Sequence, residues 1–408
     1  MLTSSKLKIL NISQNHYVRG GSDGYFFSLA KLLEKKGHKV IPFASAQEKN
    51  ISTVWSEYFP KPVDFHRPGI KDLFRYVHST SASKSIGRLI DDESPDLAHL
   101  HIYYGQITGS IIGQLRKKGI PIVQTLHEYK LVCPTSALID HGKPCEACQG
   151  NRFWHATARR CNRGSLARSA LSSVESYWSY LLGSVSKIDH FLAVSNFVRD
   201  KVIALGVPAE KITTVHNFVE IDSYEAKAIP GSYILYFGRL ERIKGIFTLL
   251  NAMANIQSVR LLIVGDGNDR SEIERSVNER QLSNVTLLGF KQGLELQNLI
   301  RGSICTVSPS EWNEPFGLTL IESFALGRPV ICSRMGGMPE IVDDCVTGFV
   351  VPPGDSVALG DRIQWMANNP KLAVEMGARG RKKVEIFFAP ELHYQNISAV
   401  YEKVMADA

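Results

Sequence analysis

The sequence of 408 residues predicts an α/β protein built from two doubly wound domains in series. Three observations support this prediction. Short, nearly continuous apolar runs alternate with helix-like segments, as expected for parallel sheets that are covered on both faces. This alternation occurs twice along the chain. A polar stretch without a clear period, residues 217–231, separates the two occurrences and predicts a linker.

The first predicted domain, residues 1–216, contains five strand-like runs with helix-like segments between them. The runs are KILNIS, KVIPFA, LAHLHI, PIVQTLH and HFLAVS. The clearest helix-like segments cover residues 24–36, 105–118 and 196–205. Each run is rich in β-branched or apolar residues, which are favoured in strands.

The second predicted domain, residues 232–389, contains six runs of the same kind. They are YILYFG, RLLIVG, VTLLGF, ICTVSP, PVICS and GFVVP. Helices are expected between them, around residues 245–254, 269–281, 294–301 and 317–327. Because ligands of doubly wound sheets bind beyond the carboxyl ends of the strands, the residues that follow each run are candidate functional residues.

The composition is that of a globular protein with a full core, at 44% hydrophobic and 21% charged residues. No run of eighteen apolar residues is present, so no segment is expected to span a bilayer. The first residues, MLTSSKLKILNIS, lead into a strand-like run and do not resemble a signal peptide. Seven cysteines in a large chain without an export signal predict a cytoplasmic protein with reduced thiols.

The net charge of +7 is unevenly distributed, because residues 1–216 carry +11 and residues 217–408 carry −4. This asymmetry predicts that the first domain faces an anionic partner. Nucleic acid, an acidic membrane and a phosphorylated substrate are the candidates. Nucleic acid is then not predicted as a partner, since no RNA-binding signature accompanies the basic stretch of this domain. A solvated basic surface without a partner is the alternative.

The stretch EWNEPFGLTLIESFALGRPVI places Pro-Phe-Gly directly after the first of two glutamates, Glu314 and Glu322. Within a helix, proline is tolerated in the first turn, so we expect a loop to end near Glu314 and a helix to begin near Phe316. The N-terminus of that helix favours an anion. The Glu314 carboxylate would lie at the helix N-terminus, and the Glu322 carboxylate would lie two turns into the helix. A plain amphipathic helix with a capping acid is the alternative, but it leaves the Pro-Phe-Gly turn unexplained.

Two glycine-containing turns follow predicted strands. Gly20 and Gly21 open a helix-like segment in YVRGGSDGYFFSLAKLL, and paired glycines allow close backbone approach to a phosphate. They do not form the G-x-G-x-x-G fingerprint of dinucleotide-binding proteins. In GRLERIKG, Arg239 and Lys244 lie on a turn with glycine at both ends. Their charges suit phosphate oxygens, although both residues could be ordinary surface cations.

Together these motifs resemble glycosyltransferase family 4, the retaining sugar-nucleotide transferases with the GT-B fold. The resemblance rests on RGGSD, HLH, LHE, GRLERIKG and EPFGLTLIE, and it covers most of the chain. It implies two Rossmann-like domains that face a central cleft, with a nucleotide-sugar donor held mainly by the second domain. It also implies that a last helix, within residues 390–408, crosses back onto the first domain.

The resemblance implies a role for each matching residue. Arg239 and Lys244 would hold the donor diphosphate, which Gly20 and Gly21 would approach from the other domain. Glu314 would bind the sugar hydroxyls. Glu322 would bind the ribose hydroxyls. The remaining donor contacts implied are the backbone of Phe316, Gly317 and Leu318, and Gly289 and Phe290 beside the base.

Cleavage of a glycosyl–phosphate bond puts negative charge on the departing diphosphate, which cationic groups and a helix N-terminus stabilise. The catalytic residues implied are therefore His127, Arg239, Lys244 and Glu314, with His127 near the reacting carbon of the sugar. No D-x-D motif is present, so catalysis is expected to require no metal or other cofactor. His99 and His101 are weaker candidates for the acceptor side.

An insertion in the first domain, residues 133–161, contains four of the seven cysteines. These are Cys133, Cys145, Cys148 and Cys161. One C-x2-C pair with two flanking thiols can bind zinc tetrahedrally, but a strong zinc ribbon has two such pairs. A structural zinc site and a loop of unligated cysteines therefore both stay open. The other three, Cys305, Cys332 and Cys345, are expected in the core.

Residues 143–168 are strongly basic and include Phe153 and Trp154. A basic stretch with interleaved aromatic residues suits an anionic membrane, a phosphate-binding acceptor wall or an exposed face. The first of these predicts peripheral contact with the inner face of a membrane.

The sequence therefore predicts a cytoplasmic, retaining glycosyltransferase that moves a sugar from a nucleoside-diphosphate sugar to a hydroxyl of a glycan or lipid-linked acceptor. Two alternatives use the same fold. One is a GT-B sugar-nucleotide epimerase, and the other is a catalytically silent paralogue that binds glycans or membranes. The intact set of Arg239, Lys244, Glu314 and Glu322 favours the transferase.

Overall fold

The structure, a computed structural model, describes residues 6–65 and 67–407 of the chain. Over these residues the fold is α/β, with parallel sheets and helices that alternate with their strands. No helix in the described range is long and apolar enough to cross a membrane. The predicted α/β class with two doubly wound sheets is confirmed.

The chain divides into two compact units. The first unit ends at Val215 and resumes at Tyr394, and the second comprises His216–His393. The segment predicted as a linker, residues 217–231, is therefore part of the second unit. The buried Arg328 side chain fixes this segment by donating hydrogen bonds to two of its backbone carbonyls, at 2.7 and 3.2 Å.

The sheet of the first unit has six parallel strands in the order β2-β1-β3-β4-β7-β8, and a short antiparallel hairpin, β5-β6, lies in the cysteine-containing insertion. The strands are β1 (Lys8–Ile12), β2 (Lys39–Phe43), β3 (Leu97–Leu100), β4 (Ile122–Leu126), β5 (Ile139–Asp140), β6 (Lys143–Pro144), β7 (His190–Ala193) and β8 (Ile212–Thr214). β3, β4 and β7 are buried at every position, as expected for strands covered on both faces.

The described residues of the first part of this unit form seven α-helices. They are α1 (Gly21–Lys35), α2 (Ile70–Val77), α3 (Thr80–Glu93), α4 (Ser110–Lys117), α5 (Trp154–Ala158), α6 (Leu166–Leu181) and α7 (Asn196–Ala204). Serine side chains cap three of them, because their oxygens accept backbone N–H groups of the first turn. Ser195, for example, accepts from Val198 N at 3.1 Å and begins α7.

The sheet of the second unit also has six parallel strands, in the order β11-β10-β9-β12-β13-β14. The strands are β9 (Tyr233–Phe237), β10 (Arg260–Val264), β11 (Val285–Gly289), β12 (Ser303–Ser308), β13 (Val330–Ser333) and β14 (Gly348–Val351). The helices are α8 (Ile246–Met253), α9 (Arg270–Glu279), α10 (Gly293–Gly302), α11 (Leu318–Ala325), α12 (Met338–Ile341), α13 (Ser356–Asn368), α14 (Pro370–Phe387) and α15 (Pro390–Ala406). The last helix, α15, starts in the second unit and contributes its residues from Tyr394 onward to the first.

The strand order of each sheet reverses at one point. In the second unit, β9 has its successor β10 on one side and β12 on the other. In the first unit, β1 lies between β2 and β3. Ligands of doubly wound folds bind outside the carboxyl ends of strands at such switch points. Functional residues are therefore expected in the loops that follow β9 and β12 in the second unit, and β1 and β3 in the first.

Candidate active site

The loops that follow β9 and β12 are fastened to each other at the switch point of the second sheet. The Ile243 carbonyl accepts hydrogen bonds from Glu311 N at 2.9 Å and Ser310 Oγ at 3.2 Å. Gly245 has φ +73°, and a Cβ there would lie 1.8 Å from the Pro309 carbonyl oxygen. Only glycine permits this approach, so the sequence sets the short turn Arg242–Lys244 directly against the second loop.

Lys244 and Glu314 form an ion pair at this junction. Lys244 Nζ donates to Glu314 Oε1 at 2.5 Å, and only 15% and 13% of the two side chains are exposed. The ammonium also lies 4.6 Å from the centre of the Trp312 ring, which favours a cation. The pair places one cation and one carboxylate side by side, so the site offers a charge for a phosphate and an acceptor for hydroxyl groups.

Arg239 follows β9 directly and is more exposed than Lys244. Its guanidinium pairs with Glu241 at 3.0 Å, while 56% of its side chain is accessible. The backbone at this position is fixed, because Tyr236 OH donates to the Arg239 carbonyl at 2.8 Å. A surface pair of this kind is weak, so the guanidinium is available to an anionic ligand.

The backbone around Glu314 is held by a turn after β13. The Glu314 carbonyl accepts from Gly337 N at 2.8 Å, and a Cβ at Gly336 would lie 2.1 Å from that oxygen. The chain then turns at Gly317, which has φ +117° and caps α11. As predicted, Glu314 lies in the loop before a helix. The predicted start at Phe316 was wrong by two residues, because the left-handed Gly317 begins the helix at Leu318.

The Phe316 side chain does not face a ligand site. It is buried against the rings of His216 and Phe388, with centroid distances of 5.9 and 5.7 Å. Only the backbone of residues 316–318 is left to make the contacts expected at the start of α11.

Glu322 lies one turn inside α11, not two turns as the expected helix start implied. Its residue is half-buried, and burial raises the pKa of its carboxyl to about 7. Among the described residues its side chain has no hydrogen-bonding or ion-pair partner. A carboxylate without protein donors is costly in such surroundings, and ligand hydroxyls would relieve that cost.

Gly289 ends β11 and Phe290 follows it directly, two strands from β9 at the same edge of the sheet. The Gly289 carbonyl accepts from Gly265 N at 2.9 Å, which joins the turns after β10 and β11. The Phe290 side chain is 66% exposed. An exposed ring at the edge that carries Lys244 and Glu322 is suited to stack on a flat ligand group.

In the first unit, Gly20 and Gly21 begin α1 after the loop that follows β1. The Asp23 carboxylate accepts hydrogen bonds from Arg19 N and Gly20 N, both at 3.1 Å, and thereby fixes the entry to the helix. No atom lies within 4 Å of a Cβ built on Gly20. The backbone at this helix N-terminus is therefore open to a ligand.

Three histidines stack at the carboxyl ends of β3 and β4. The His99 and His101 rings are 4.4 Å apart, and the His101 and His127 rings are 5.3 Å apart. Both ring nitrogens of His99 are engaged, by Tyr401 OH at 2.6 Å and Thr125 Oγ1 at 2.7 Å. The sequence indicated His99 and His101 as weak candidates for the acceptor side. Both residues are fully buried, so neither has exposed surface with which to contact an acceptor.

The hydrogen-bonding partners assign the tautomer of His127. Asn11 Oδ1 can only accept, so His101 Nε2 donates to it at 2.8 Å and His101 Nδ1 is left as an acceptor. His127 Nε2 therefore carries a proton and donates to His101 Nδ1 at 3.1 Å. Burial lowers the pKa of His127 to about 3, so the ring is neutral and its Nδ1 lone pair is unprotonated. The sequence singled out His127 but not Asn11, the polar residue inside the apolar run KILNIS.

The four cysteines of the insertion lie near one another. Among the described residues, no group of three or more candidate ligands is arranged to hold a metal ion. Burial raises the pKa of Cys148 to about 12 and that of Cys161 to about 11, with the neighbouring thiols adding to both shifts. Metal analysis of the purified protein distinguishes a loop of unligated cysteines from a zinc-bound one.

Cys305 and Cys332 are buried, as expected for core residues, but Cys345 is exposed, so that part of the prediction was wrong. Cys345 lies in the left-handed turn between α12 and β14, with φ +63°, and this turn directs it away from the core.

Two doubly wound units, each with polar and glycine residues at the carboxyl edge of its parallel sheet, fit the GT-B class of glycosyltransferases. Solved structures of this class match the whole chain. Sucrose-phosphate synthase from Thermosynechococcus elongatus superposes with a TM-score of 0.76 at 22% identity, covering 99% of this chain and 100% of that one. Anabaena HepE in complex with UDP-glucose superposes with a TM-score of 0.69 at 17% identity, covering 97% and 100%.

Within that class, the chain belongs to glycosyltransferase family 4. Residues 19–223 match the family Glycosyltransferase Family 4, and residues 223–383 match Glycosyl transferases group 1. A relative that spans nearly the whole chain is the N-acetyl-alpha-D-glucosaminyl L-malate synthase of Bacillus anthracis. It is 23% identical over 406 residues, which cover 95% of each chain. The resemblance seen in the motifs is confirmed.

Proposed function

We propose that this glycosyltransferase is a retaining enzyme that takes a sugar from a nucleoside diphosphate and transfers it to a hydroxyl of a glycan or lipid-linked acceptor, in polysaccharide or glycolipid synthesis. Residues 232–389 would bind the donor and residues 1–216 the acceptor, at the cytoplasmic face of a membrane. The observation that carries the proposal is the paired Lys244 and Glu314 at the switch point, with the unpartnered Glu322 one turn into the next helix.

These groups match the parts of a nucleotide sugar. Lys244 and Arg239 are the cations that a diphosphate requires, and each charge-assisted contact is stronger than a neutral one. Glu314 is an acceptor for sugar hydroxyls, and Glu322 is an acceptor for ribose hydroxyls. Phe290 supplies an exposed ring for the base. HepE, which shares the fold, was solved with UDP-glucose, and this supports a donor of the same chemical class.

In the proposed reaction the bond between the sugar and the diphosphate breaks while the acceptor hydroxyl bonds to the same carbon. The electron pair of the broken bond stays on the diphosphate, where Lys244 and Arg239 stabilise the growing charge. Retention places the acceptor on the face of the leaving group, so a diphosphate oxygen takes the hydroxyl proton. A neutral His127 adds no positive charge beside the cationic sugar ring, which suits the role expected from the resemblance.

The raised pKa of Glu322 makes donor binding depend on pH. Only the ionised carboxylate accepts hydrogen bonds from both ribose hydroxyls, so affinity for the nucleoside diphosphate of the donor, identified by the screen described below, should rise as the pH increases through about 7. Glu322→Gln should weaken binding about tenfold and flatten this dependence, because a charge-assisted bond becomes a neutral one. Titration calorimetry at about pH 6 and about pH 8 measures both effects.

The same carboxyl should act on the ligand-free fold in the opposite direction. Because its folded pKa is raised above 4.5, the folded state binds the proton more tightly, and stability is lost as the pH rises from about 4.5 to about 7. Glu322→Gln should remove that loss. The exposed Glu279, replaced by Gln in the same unit, is the control and should change neither measurement. A pH-independent affinity in the wild type would contradict the role of Glu322.

The direct test of the proposed function is a screen of UDP-, GDP- and ADP-sugars by thermal shift and donor hydrolysis. One nucleotide class should raise the melting temperature and be hydrolysed slowly without an acceptor, and EDTA should leave the rate unchanged because Lys244 and Arg239 supply the positive charge. Released sugar that keeps its anomeric configuration would support retention. Epimerised nucleotide sugar, or binding without any turnover, would overturn the transferase.

A further inference from the structure

Helix α2 turns its apolar side toward solvent. Its apolar residues Ile70, Leu73, Phe74 and Val77 have the i, i+3, i+4, i+7 spacing of a stripe that normally faces a core. Ile70 is nevertheless 75% exposed and Phe74 is 72% exposed, and no residue of the helix is buried. An outward stripe of this kind on a described surface calls for a covering partner.

The neighbouring helix α6 extends the apolar surface. Val174, Trp178 and Leu181 lie on one side of α6 and are all exposed. Trp178 Nε1 donates to Nδ1 of His78, the residue that ends α2, at 3.2 Å, and the two rings are 6.0 Å apart. The two exposed stripes therefore adjoin.

Helix α5 borders α6 on its other side. The Trp154 backbone N–H donates to Tyr177 OH at 3.2 Å, and the Trp154 ring is 53% exposed. We use the name outer face for seven of the exposed apolar residues of these three helices. Its members are Ile70, Leu73, Phe74, Trp154, Val174, Trp178 and Leu181.

Basic side chains without acidic partners accompany the outer face. Lys71 lies within α2, Arg160 and Arg163 follow α5, and Arg168 lies in the first turn of α6. All four are exposed, and none forms an ion pair with any residue in the described range. Arg159 differs, because it pairs with Asp140 at 2.8 Å.

We propose that the outer face docks the protein on an anionic lipid bilayer. Tryptophan and phenylalanine side chains suit the boundary between headgroups and acyl chains, and the free basic residues suit lipid phosphates. A second copy of the chain fits less well, since a symmetric dimer would set the same unpaired cations against each other. Such docking rests on the proposed function, because a lipid-linked acceptor would be presented at this surface.

The test is cosedimentation of the full chain with vesicles of phosphatidylcholine alone or mixed with phosphatidylglycerol. Wild type should bind the mixed vesicles at least about tenfold better than the neutral ones. Ile70→Ser with Phe74→Ser should reduce binding about tenfold, as should Lys71→Glu with Arg163→Glu, because each change removes one of two required attractions. Val357→Ser with Phe387→Ser is the matched control, since both residues are exposed apolar side chains of the second unit.

Donor hydrolysis in solution is measured on the same samples. Equal binding of the wild type to both vesicle types, or full binding by either outer-face variant, would overturn the docking surface. Normal donor hydrolysis in the same samples would still support the proposed function. Vesicle binding without donor hydrolysis would support the docking surface and contradict the proposed function. The proposal would also fail if the wild type did not bind vesicles but formed a concentration-dependent dimer that the Ile70→Ser, Phe74→Ser variant could not form. That result would assign the outer face to a second copy of the chain.

Discussion

Replacing Lys244 with alanine should lower kcat/KM by about 10- to 150-fold, corresponding to the loss of about 1.5–3 kcal/mol from one charge-assisted phosphate contact. The effect is large because the ammonium is held in a mostly buried position beside Glu314 and the Trp312 ring. Its removal also leaves the Glu314 carboxylate without its cation, which weakens the acceptor for sugar hydroxyls. Steady-state kinetics with the donor identified in the nucleotide screen measures the loss.

Arg242→Ala is the matched control for Lys244→Ala. Arg242 lies in the same short turn, two residues away, but its side chain is 62% exposed and pairs with Glu272. Loss of this surface charge should change kcat/KM by less than about twofold, because exposed pairs contribute little. Equal effects of the two substitutions would show that the positive charge of the turn, and not the position of Lys244, supports catalysis. Normal turnover by the Lys244 variant would remove the residue from the site.

Gly245→Ala should abolish donor binding even though it changes no side chain that contacts the donor. The new Cβ would lie 1.8 Å from the Pro309 carbonyl, so the turn and the loop after β12 must separate. Separation breaks the hydrogen bonds from Glu311 and Ser310 to the Ile243 carbonyl and moves Lys244 away from Glu314. Calorimetry with the nucleoside diphosphate of the donor identified in the screen should show no binding. Denaturant titration should show a loss of unfolding free energy well above the cost of placing alanine in the left-handed region.

Gly354→Ala isolates that strain. Gly354 has φ +74°, nearly the same as the +73° of Gly245, but no atom lies within 4 Å of a Cβ built on it. Alanine there should cost about 1–2 kcal/mol of unfolding free energy and leave donor binding intact. If Gly245→Ala behaved like Gly354→Ala, the close contact between the two loops would not be needed to position Lys244.

The strands of both sheets were largely predictable, whereas several helices were not, and α6 and α14 are among the longest of them. All six apolar runs of the second domain are strands, since strands covered on both faces of a parallel sheet are mostly apolar. Helix α6 was missed because it is rich in serine, which competes with helical hydrogen bonding. In the fold those serines are satisfied: Ser169 Oγ donates to the Ser165 carbonyl, and Ser173 Oγ donates to the Phe153 carbonyl. Strand β8, of only three residues, was too short to show a pattern.

The candidate site was predictable as a set of residues but not as a set of contacts. The motifs named Lys244 and Glu314, yet 70 residues separate them in the sequence, and only the adjacency of β9 and β12 brings them together. The bond between His101 and Asn11 spans 90 residues in the same way. No local pattern carries such pairings, because they depend on strand order. The outward stripe of α2 was likewise unexpected, since its spacing is that of a core-facing helix.

The division of α15 between the two units has a consequence for synthesis on the ribosome. The first unit needs residues from Tyr394 onward, including Tyr401, whose hydroxyl bonds to the buried His99. Residues 216–393 must be translated before that piece exists. At about 5–20 residues per second, the nascent first unit lacks these residues for on the order of ten seconds or more. During that time the surface beside its central strands, which residues from Tyr394 onward later cover, stays uncovered. The emerging chain would therefore expose this uncovered surface to chaperones. Premature termination before Tyr394 would leave the first unit, which is synthesised first, incomplete.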